Sequence, residues 1–426
     1  MLQTRQQRSY PSVVTRLLVA LAATVMAWMF TGCGFDAPPD VDTPKGINEV
    51  LNMAPVRPLA EAGRWTVYEV PGKLSVQHGY GCLGQGFAAT EDYVGFRIQD
   101  SAAVPLSFGD AGTILLNGWD LQYTNGDHHV AGLGTVIFNV TETRTVDQFV
   151  LNWEAGGVLS DKNGDDGYRW CYRYTLVFWN RGAFDAVVPL QTDVATTFVE
   201  VAGPSSGTAL LDLPGHFPTP PYAGPHAVVP RGFGLSWRDT DHQVLQVGFD
   251  LGPATPVIAG NEITWTSQTL LKDDEPVDTY FGAEFVTVLS GQNVELWQPR
   301  TVLHLTGTSW VEEPTELNLR PDDSSCDGFV APEESLEFYA VEKVPFDYAI
   351  PVLTGWDLSY VCPDHNVERI GVYLVEFDYV KDPTADTGTL HYTVFSTLRD
   401  DSDHGHAARY KVSILGLNGL SGGSDK

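Results

Sequence analysis

The chain has 426 residues, of which 43% are hydrophobic and 19% charged, enough apolar material for two or three ordinary cores. Its 54 Asp and Glu against 25 Lys and Arg give a formal charge of −29, which repels nucleic-acid phosphates and argues against nucleic-acid binding. With 42 Gly, 27 Pro and recurring runs that alternate aromatic and β-branched residues, the composition excludes a helical bundle and predicts an all-β protein.

Residues 1–32 have the features of an export signal. Three arginines and no acidic residue accompany an apolar run of 14 residues, 17–30, which is short for a bilayer span but suits a signal-peptide core. The run leads into Thr31-Gly32-Cys33, which resembles the lipobox of bacterial lipoproteins. The resemblance implies cleavage before Cys33 and lipidation of that residue; a plain signal peptide with an incidental Cys is the alternative.

The segment after the signal is expected to be a tether. Residues 33–54 contain the lipidated Cys33 and a Pro-rich acidic stretch, 36–45, that does not pack into a fold. Cleavage leaves 22 basic against 54 acidic residues, so the membrane contact is expected through acyl chains rather than charge. By resemblance to lipoprotein sorting rules, Gly34 implies the outer membrane of a bacterial envelope, on its periplasmic face or at the cell surface.

Three segments of the remaining chain repeat one pattern. Residues 118–134, 232–248 and 355–371 each carry Gly-aromatic at the start, an Asp-His pair, a Val and a Gly at identical internal spacing. Strand-like alternating runs follow each copy, which predicts a repeated β unit. We therefore expect three tandem antiparallel β-sandwich modules: module 1, 55–185; module 2, 186–292; and module 3, 293–426.

Four cysteines follow Cys33, an even number that is expected of disulfides in an oxidising compartment. Three pairings are possible. We favour those that close within a single module, because each then ties together one folding unit. The favoured pairs are Cys82 with Cys171 and Cys326 with Cys362.

The repeated aromatic residues are Trp119, Phe233 and Trp356. Their simplest interpretation is structural, with the Gly allowing close backbone approach and the ring filling a sandwich core. The alternative is a ring on an exposed face that stacks on a sugar. Alternation along the strand does not distinguish the two.

The three Asp-His pairs suggest a carboxylate that orients an imidazole for catalysis. Adjacent residues of an extended strand point to opposite faces, however, and Asp is common in turns, so a turn is the favoured interpretation over ligand or metal contact. We nominate no catalytic residue. The pairs are Asp127-His128, Asp241-His242 and Asp364-His365.

Acidic segments follow a later strand in each copy. Oxygen ligands at alternate positions suit Ca²⁺, which is the candidate cofactor, and the two-histidine surroundings of the third segment favour a transition metal instead. The alternative is a solvated acidic loop. The candidate ligands are Asp161, Asn163, Asp165, Asp166, Asp273, Asp274, Asp278, Asp400, Asp401, Asp403 and His404.

The order of strands in each repeat resembles the H-type lectin domain: a Gly-aromatic strand, a turn, a Val-containing strand, an aromatic-centred strand and a last strand rich in Tyr and Trp. The resemblance implies carbohydrate binding. We therefore expect a non-enzymatic binding or structural lipoprotein that meets the membrane through its anchor, takes a glycan or protein ligand and uses Ca²⁺ for stability. The alternative is an envelope-bound hydrolase with an acidic, His-containing site.

Overall fold

The computed structural model describes residues 54, 56–83, 95–162, 166–181, 191–202, 210–218, 226–238, 241–252, 257–259, 262–274, 279–290, 294–297, 301–306, 309–314, 319, 335–360, 364–385, 387–402, 404 and 406–420. Their regular elements are strands, as the composition predicts, and every ladder between named strands is antiparallel. Among these residues, no helix is both long and apolar enough to cross a bilayer.

The strands are β1 (Glu61–Val70), β2 (Leu74–Leu83), β3 (Gly95–Pro105), β4 (Ala111–Tyr123), β5 (Gly132–Arg144), β6 (Gln148–Ser160), β7 (Tyr168–Trp179), β8 (Gln191–Ala202), β9 (Leu210–Pro218), β10 (His226–Trp237), β11 (Gln246–Asp250), β12 (Val257–Ala259), β13 (Glu262–Lys272), β14 (Tyr280–Ser290), β15 (Val294–Trp297), β16 (Thr301–Thr306), β17 (Ser309–Pro314), β18 (Ser335–Val344), β19 (Tyr348–Tyr360), β20 (Arg369–Lys381), β21 (Gly388–Arg399) and β22 (His406–Leu417).

The strands form three sheets, and each sheet combines strands from two modules. Sheet 1 has the order β1-β2-β7-β4-β20-β21-β18 and joins modules 1 and 3. Sheet 2 has the order β3-β6-β5-β10-β14-β8 and joins modules 1 and 2. Sheet 3 has the order β12-β13-β11-β19-β22-β16-β17, with β9 on β13 and β15 on β22, and joins modules 2 and 3. The strands of each module are thus divided between two sheets, and each of these sheets is shared with a different neighbouring module.

The modules meet through equivalent strand pairs. The Gly-aromatic pair lies in the middle of β4, β10 and β19 rather than at a strand start. Each of these strands pairs with the strand that follows the Asp-His pair of a neighbouring module: β4 with β20, β10 with β5, and β19 with β11. The pairing runs from module 1 to 3, from 3 to 2 and from 2 to 1, so the arrangement is cyclic and pseudo-threefold. We call these contacts the 1–3, 1–2 and 2–3 junctions.

The repeated aromatic residues meet where the three modules join. Trp119, Phe233 and Trp356 are buried, and their ring centroids are 4.9 to 5.1 Å apart in all three pairs. The preceding Gly lies against the neighbouring strand: a Cβ on Gly118 would come within 2.1 Å of Tyr373, and one on Gly232 within 2.5 Å of a backbone oxygen. A larger residue would therefore push the modules apart.

Both faces of the junction strands are covered. Almost every residue of β4, β10 and β19 is buried, because one face packs within its own module and the other against the rest of the molecule. This burial explains why Trp119 and the adjacent Asp120 both lie inside, although they point to opposite faces.

The disulfide expected within module 1 is present. Cys82 of β2 and Cys171 of β7 are directly opposite in the ladder and are bonded. Cys33, Cys326 and Cys362 lie outside the described residues.

Candidate functional site

Each repeated histidine is paired with a carboxylate, but not with the Asp beside it in sequence. The distance from Nδ1 to a carboxylate oxygen is 2.9 Å from His128 to Asp166, 2.8 Å from His242 to Asp273 and 3.1 Å from His365 to Asp400. The partners belong to the acidic segments, so the structure brings together two motifs that the sequence analysis treated separately. We call these three pairs the His–Asp corners.

The adjacent aspartates tie each module to the next. Asp127 Oδ2 accepts a hydrogen bond from the backbone N–H of Asp401 in module 3, at 3.4 Å, and Asp241 Oδ2 accepts one from Lys162 in module 1, at 3.3 Å. The Asp364 carboxylate accepts one from the backbone N–H of Asp274 in module 2. The Asp-His motif therefore fastens neighbouring acidic segments, and its threefold occurrence follows from the cyclic contact.

Backbone pairing reinforces the same contacts. His128 bridges Val367, Val130 bridges His242, and Val244 bridges His365, each across a junction. The repeated Val of the sequence motif is thus an inter-module pairing residue as well as a core side chain.

The acidic segments are partly internal. Asp161, Asp273 and Asp400, which occupy the same place in the repeat, are buried rather than solvated. Two groups have donor atoms close enough for one metal ion: His128 with Asp161 and Asp166, and His365 with Asp400 and His404. Asn163, Asp165, Asp278 and Asp403 lie outside the described residues.

A cleft of about 290 Å³ opens in sheet 1 at the 1–3 junction. Pairing between β4 and β20 ends at Gly118 and Tyr373, and both strands have an irregular register just beyond, at Leu116/Gly118 and Leu374/Glu376. Because the ladder stops there, space remains between the strands. The cleft is lined by Trp65, His78, Gly79, Asn117, Arg173, Tyr174, Leu374, Val375, Glu376 and Phe377.

A chain of hydrogen bonds fixes the polar groups of this cleft. Asn117 Nδ2 donates to Thr175 Oγ1, whose own proton is then directed to His78 Nδ1 at 2.9 Å. Burial lowers the pKa of His78 to about 4, so its ring is neutral near pH 7 and carries its proton on Nε2.

This arrangement leaves one donor and one acceptor unused. His78 Nε2 and Asn117 Oδ1 are buried and have no hydrogen-bond partner within the part of the chain that the structure describes. Leaving a buried polar group unpaired costs about 1–3 kcal/mol, and a water molecule or a ligand that enters the cleft can satisfy these two groups.

Aromatic and charged side chains surround the two unused groups. Trp65 is 47% exposed on the edge strand β1, and the Phe377 ring meets the His78 ring edge-on at 4.0 Å. The Arg173 guanidinium lies 4.3 Å from the Tyr373 ring centre, which holds it against the cleft wall.

The cleft is not apparent from the amino-acid sequence, because its walls come from two modules whose pairing is set by the tertiary structure. One signal was available. The residue before the repeated Gly differs among the copies, as Asn117, Arg231 and Thr354, although the Gly-aromatic pair after it is kept. Variation beside a repeated pair shows that the copies make different side-chain contacts there.

Comparison of this chain with family models, curated proteins and solved structures finds no match.

Proposed function

We propose that this chain is a non-enzymatic binding protein, anchored to the bacterial cell envelope by acylated Cys33, that holds a glycan in the cleft of the 1–3 junction. The observation that carries the proposal is the unused donor and acceptor, His78 Nε2 and Asn117 Oδ1, beside the half-exposed ring of Trp65. A sugar offers hydroxyl or acetamido groups that satisfy both, and an apolar ring face for the indole.

The charges of the cleft favour a neutral ligand. His78 is uncharged near neutral pH, Arg173 is engaged by Tyr373, and Glu376 adds a negative charge at the rim. The mature chain is strongly acidic as a whole, which disfavours polyanions at long range.

Ligand entry requires a side-chain movement. The two unused atoms are shielded from solvent. The Phe377 ring is partly buried and meets the His78 ring edge-on, so we expect it to be the side chain that moves away from His78 when a ligand enters. A ligand that displaces it pairs groups that water does not reach, so selectivity for the correct hydroxyl pattern is expected to be high.

The roles of the Asp-His motifs support binding over the hydrolase alternative. Each motif His is paired across the fold with a carboxylate, and each motif Asp accepts a backbone bond from another module. A contact repeated at three junctions suits assembly, whereas catalytic centres are usually single.

A glycan array probed with the full-length lipoprotein in detergent tests the site. We expect binding to a subset of neutral glycans, loss of at least tenfold in affinity for Trp65→Ala and for His78→Phe, and no change for Tyr339→Ala. Tyr339 is the matched control because it is 60% exposed on β18, the opposite edge of sheet 1. A flat array, or equal binding by all variants, would overturn the assignment.

The anchor is tested separately. Full-length protein expressed with a radiolabelled fatty acid is expected to incorporate label and to fractionate with membranes, whereas Cys33→Ser does neither. Label in the Cys33→Ser variant would show that the anchor lies elsewhere, without bearing on the cleft.

A further inference from the structure

One of the three His–Asp corners contains a second imidazole. Asp400 Oδ2 lies 3.1 Å from His365 Nδ1 and 2.6 Å from His404 Nδ1, and the two imidazole rings are stacked with centroids 3.9 Å apart. Two nitrogen donors and one oxygen donor therefore converge on one side of the corner. We propose that His365, Asp400 and His404 form a binding site for a transition-metal ion of the Zn²⁺ class.

The spacing of the donor atoms suits one ion. All three lie within 4.8 Å of one another. Zn²⁺ takes imidazole nitrogen and carboxylate oxygen at about 2.0–2.2 Å in tetrahedral geometry, which places neighbouring ligand atoms about 3.4 Å apart. The two distances from Asp400 Oδ2 to imidazole Nδ1, 3.1 and 2.6 Å, are within about 0.8 Å of this spacing.

The carboxylate is already oriented for this task. Asp400 Oδ1 accepts hydrogen bonds from the backbone N–H groups of Ser402, at 3.1 Å, and His404, at 3.0 Å, which leaves Oδ2 for the imidazoles. The His365 ring also packs against the Tyr360 ring, with centroids 4.9 Å apart. The backbone hydrogen bonds to Oδ1 are outer contacts of the kind that orient a carboxylate ligand for a metal.

The surrounding charge favours a cation. Asp127 and Asp364 lie close enough to act electrostatically on His365, and Asp401 follows Asp400 in the chain. These carboxylates belong to two modules, because Asp127 lies in module 1 and accepts a hydrogen bond from the backbone N–H of Asp401 in module 3. A bound cation would therefore also strengthen the contact between modules 1 and 3.

The other copies show that the corner does not require His404 to assemble. In module 2, His242 pairs with Asp273, and in module 1, His128 lies with two carboxylates, Asp161 and Asp166. Among the described residues, module 3 alone places two imidazoles at the corner. His404 is 49% exposed, so an ion can enter from solvent and water can complete its coordination.

The donor set selects the class of ion. Ca²⁺ and Mg²⁺ prefer six or more oxygen ligands, whereas two imidazoles with one carboxylate suit Zn²⁺ and neighbouring transition metals. The class of ion agrees with the transition metal that the sequence favours for the third acidic segment, and the structure adds the motif residue His365 to the ligand set.

Calorimetric titration of the EDTA-washed full-length protein in detergent with Zn²⁺ tests the site, with Ca²⁺ as the comparison ion. We expect micromolar or tighter Zn²⁺ binding in wild type, at least a tenfold loss in His404→Gln, and no loss in His391→Gln. His391 is the control because it contacts Tyr339 on sheet 1, away from the corner. Metal-free His404→Gln is expected to melt like wild type.

Three results would overturn the assignment: no Zn²⁺ binding by wild type, equal Zn²⁺ affinity in wild type and His404→Gln, or Ca²⁺ binding as tight as Zn²⁺. Absorption of the Co²⁺-substituted protein supplies a second readout, because a tetrahedral nitrogen and oxygen site gives visible bands that His404→Gln should lose.

Discussion

The 1–3 and 2–3 junctions are built on equivalent strands but differ in their side chains. At the 2–3 junction, Lys411 Nζ lies 2.6 Å from Asp250 Oδ1 and also donates to the backbone oxygen of Gly252, and both charged side chains are buried. At the corresponding positions of the 1–3 junction, Arg173 lies over the ring of Tyr373. The first arrangement fills the space beside the ladder, and the second leaves a cleft.

The residue before the repeated Gly shows the same contrast. Thr354 Oγ1 is 2.7 Å from Ser413 Oγ and donates to the backbone oxygen of Lys411. Asn117 bonds Thr175 through Nδ2 and leaves Oδ1 without a partner among the described residues. At the 1–2 junction, the equivalent residue Arg231 is buried and donates hydrogen bonds to Thr287 Oγ1 and to a backbone oxygen.

Equivalent backbone positions in the repeat therefore carry different side-chain contacts at the three junctions. Beside the Gly of the 2–3 junction, the side chains of Thr354 and Lys411 are hydrogen-bonded. Beside the Gly of the 1–3 junction, His78 Nε2 and Asn117 Oδ1 have no partner among the described residues, which costs stability at that place.

The largest expected effect comes from breaking the buried ion pair. Asp250→Ala leaves the buried Lys411 without its counter-charge, so we expect the free energy of unfolding to fall by about 3–5 kcal/mol. Arg173→Ala at the equivalent place should cost about 1 kcal/mol, since a cation–π contact is lost. Denaturant unfolding measures both. Equal costs would mean that the two junctions do not differ in stability as the geometry indicates.

The pH dependence of the free energy of unfolding tests the burial of His78 in the cleft. The folded pKa of His78 is lowered by burial from 6.5 to about 4, so the unfolded chain binds a proton that the folded chain does not between these values. Stability is therefore complete above pH 6.5 and is lost as the pH falls to 4, by about 3 kcal/mol. His78→Phe should remove this part of the slope. His406, which is also buried, has its pKa lowered in the same direction, so only the difference between wild type and variant is informative.

A smaller effect is expected from matched substitutions before the repeated Gly. Thr354→Val removes bonds that are satisfied and should cost about 1 kcal/mol. Asn117→Val removes one bond but also an unpaired acceptor, so a change near zero is expected. Chemical denaturation of the two variants side by side provides the check, and a larger cost for Asn117→Val would contradict the contrast drawn between the junctions.

A small effect on stability is also expected for Trp65→Ala. The ring is half-exposed on an edge strand, so the free energy of unfolding should change by less than about 1 kcal/mol while ligand binding is lost. Thermal unfolding without ligand measures the first quantity. A large destabilisation would indicate that Trp65 is a packing residue rather than part of a binding surface.

Part of the site was accessible from sequence. The spacing of Asp127-His128 and its copies identified residues that the structure places at module contacts, and the repeated Asp161, Asp273 and Asp400 were found independently. Their pairing with the histidines was not predicted. Adjacent residues of a strand point to opposite faces, which disfavours the neighbouring Asp as the partner of each His, but strand geometry does not indicate which distant carboxylate takes its place.

The amino-acid sequence by itself determined that the chain is all-β and that one pattern occurs three times, because strand periodicity and repeat spacing are local properties. It favoured the Cys82–Cys171 pair among three possible pairings, and the structure contains that bond. Only the tertiary structure decided that each sheet is shared by two modules, that Trp119, Phe233 and Trp356 meet, and that one junction is open. The physical reason is that burial on both faces of the junction strands erases the alternation that marks an outer surface, so the partner of each strand is set by packing between modules.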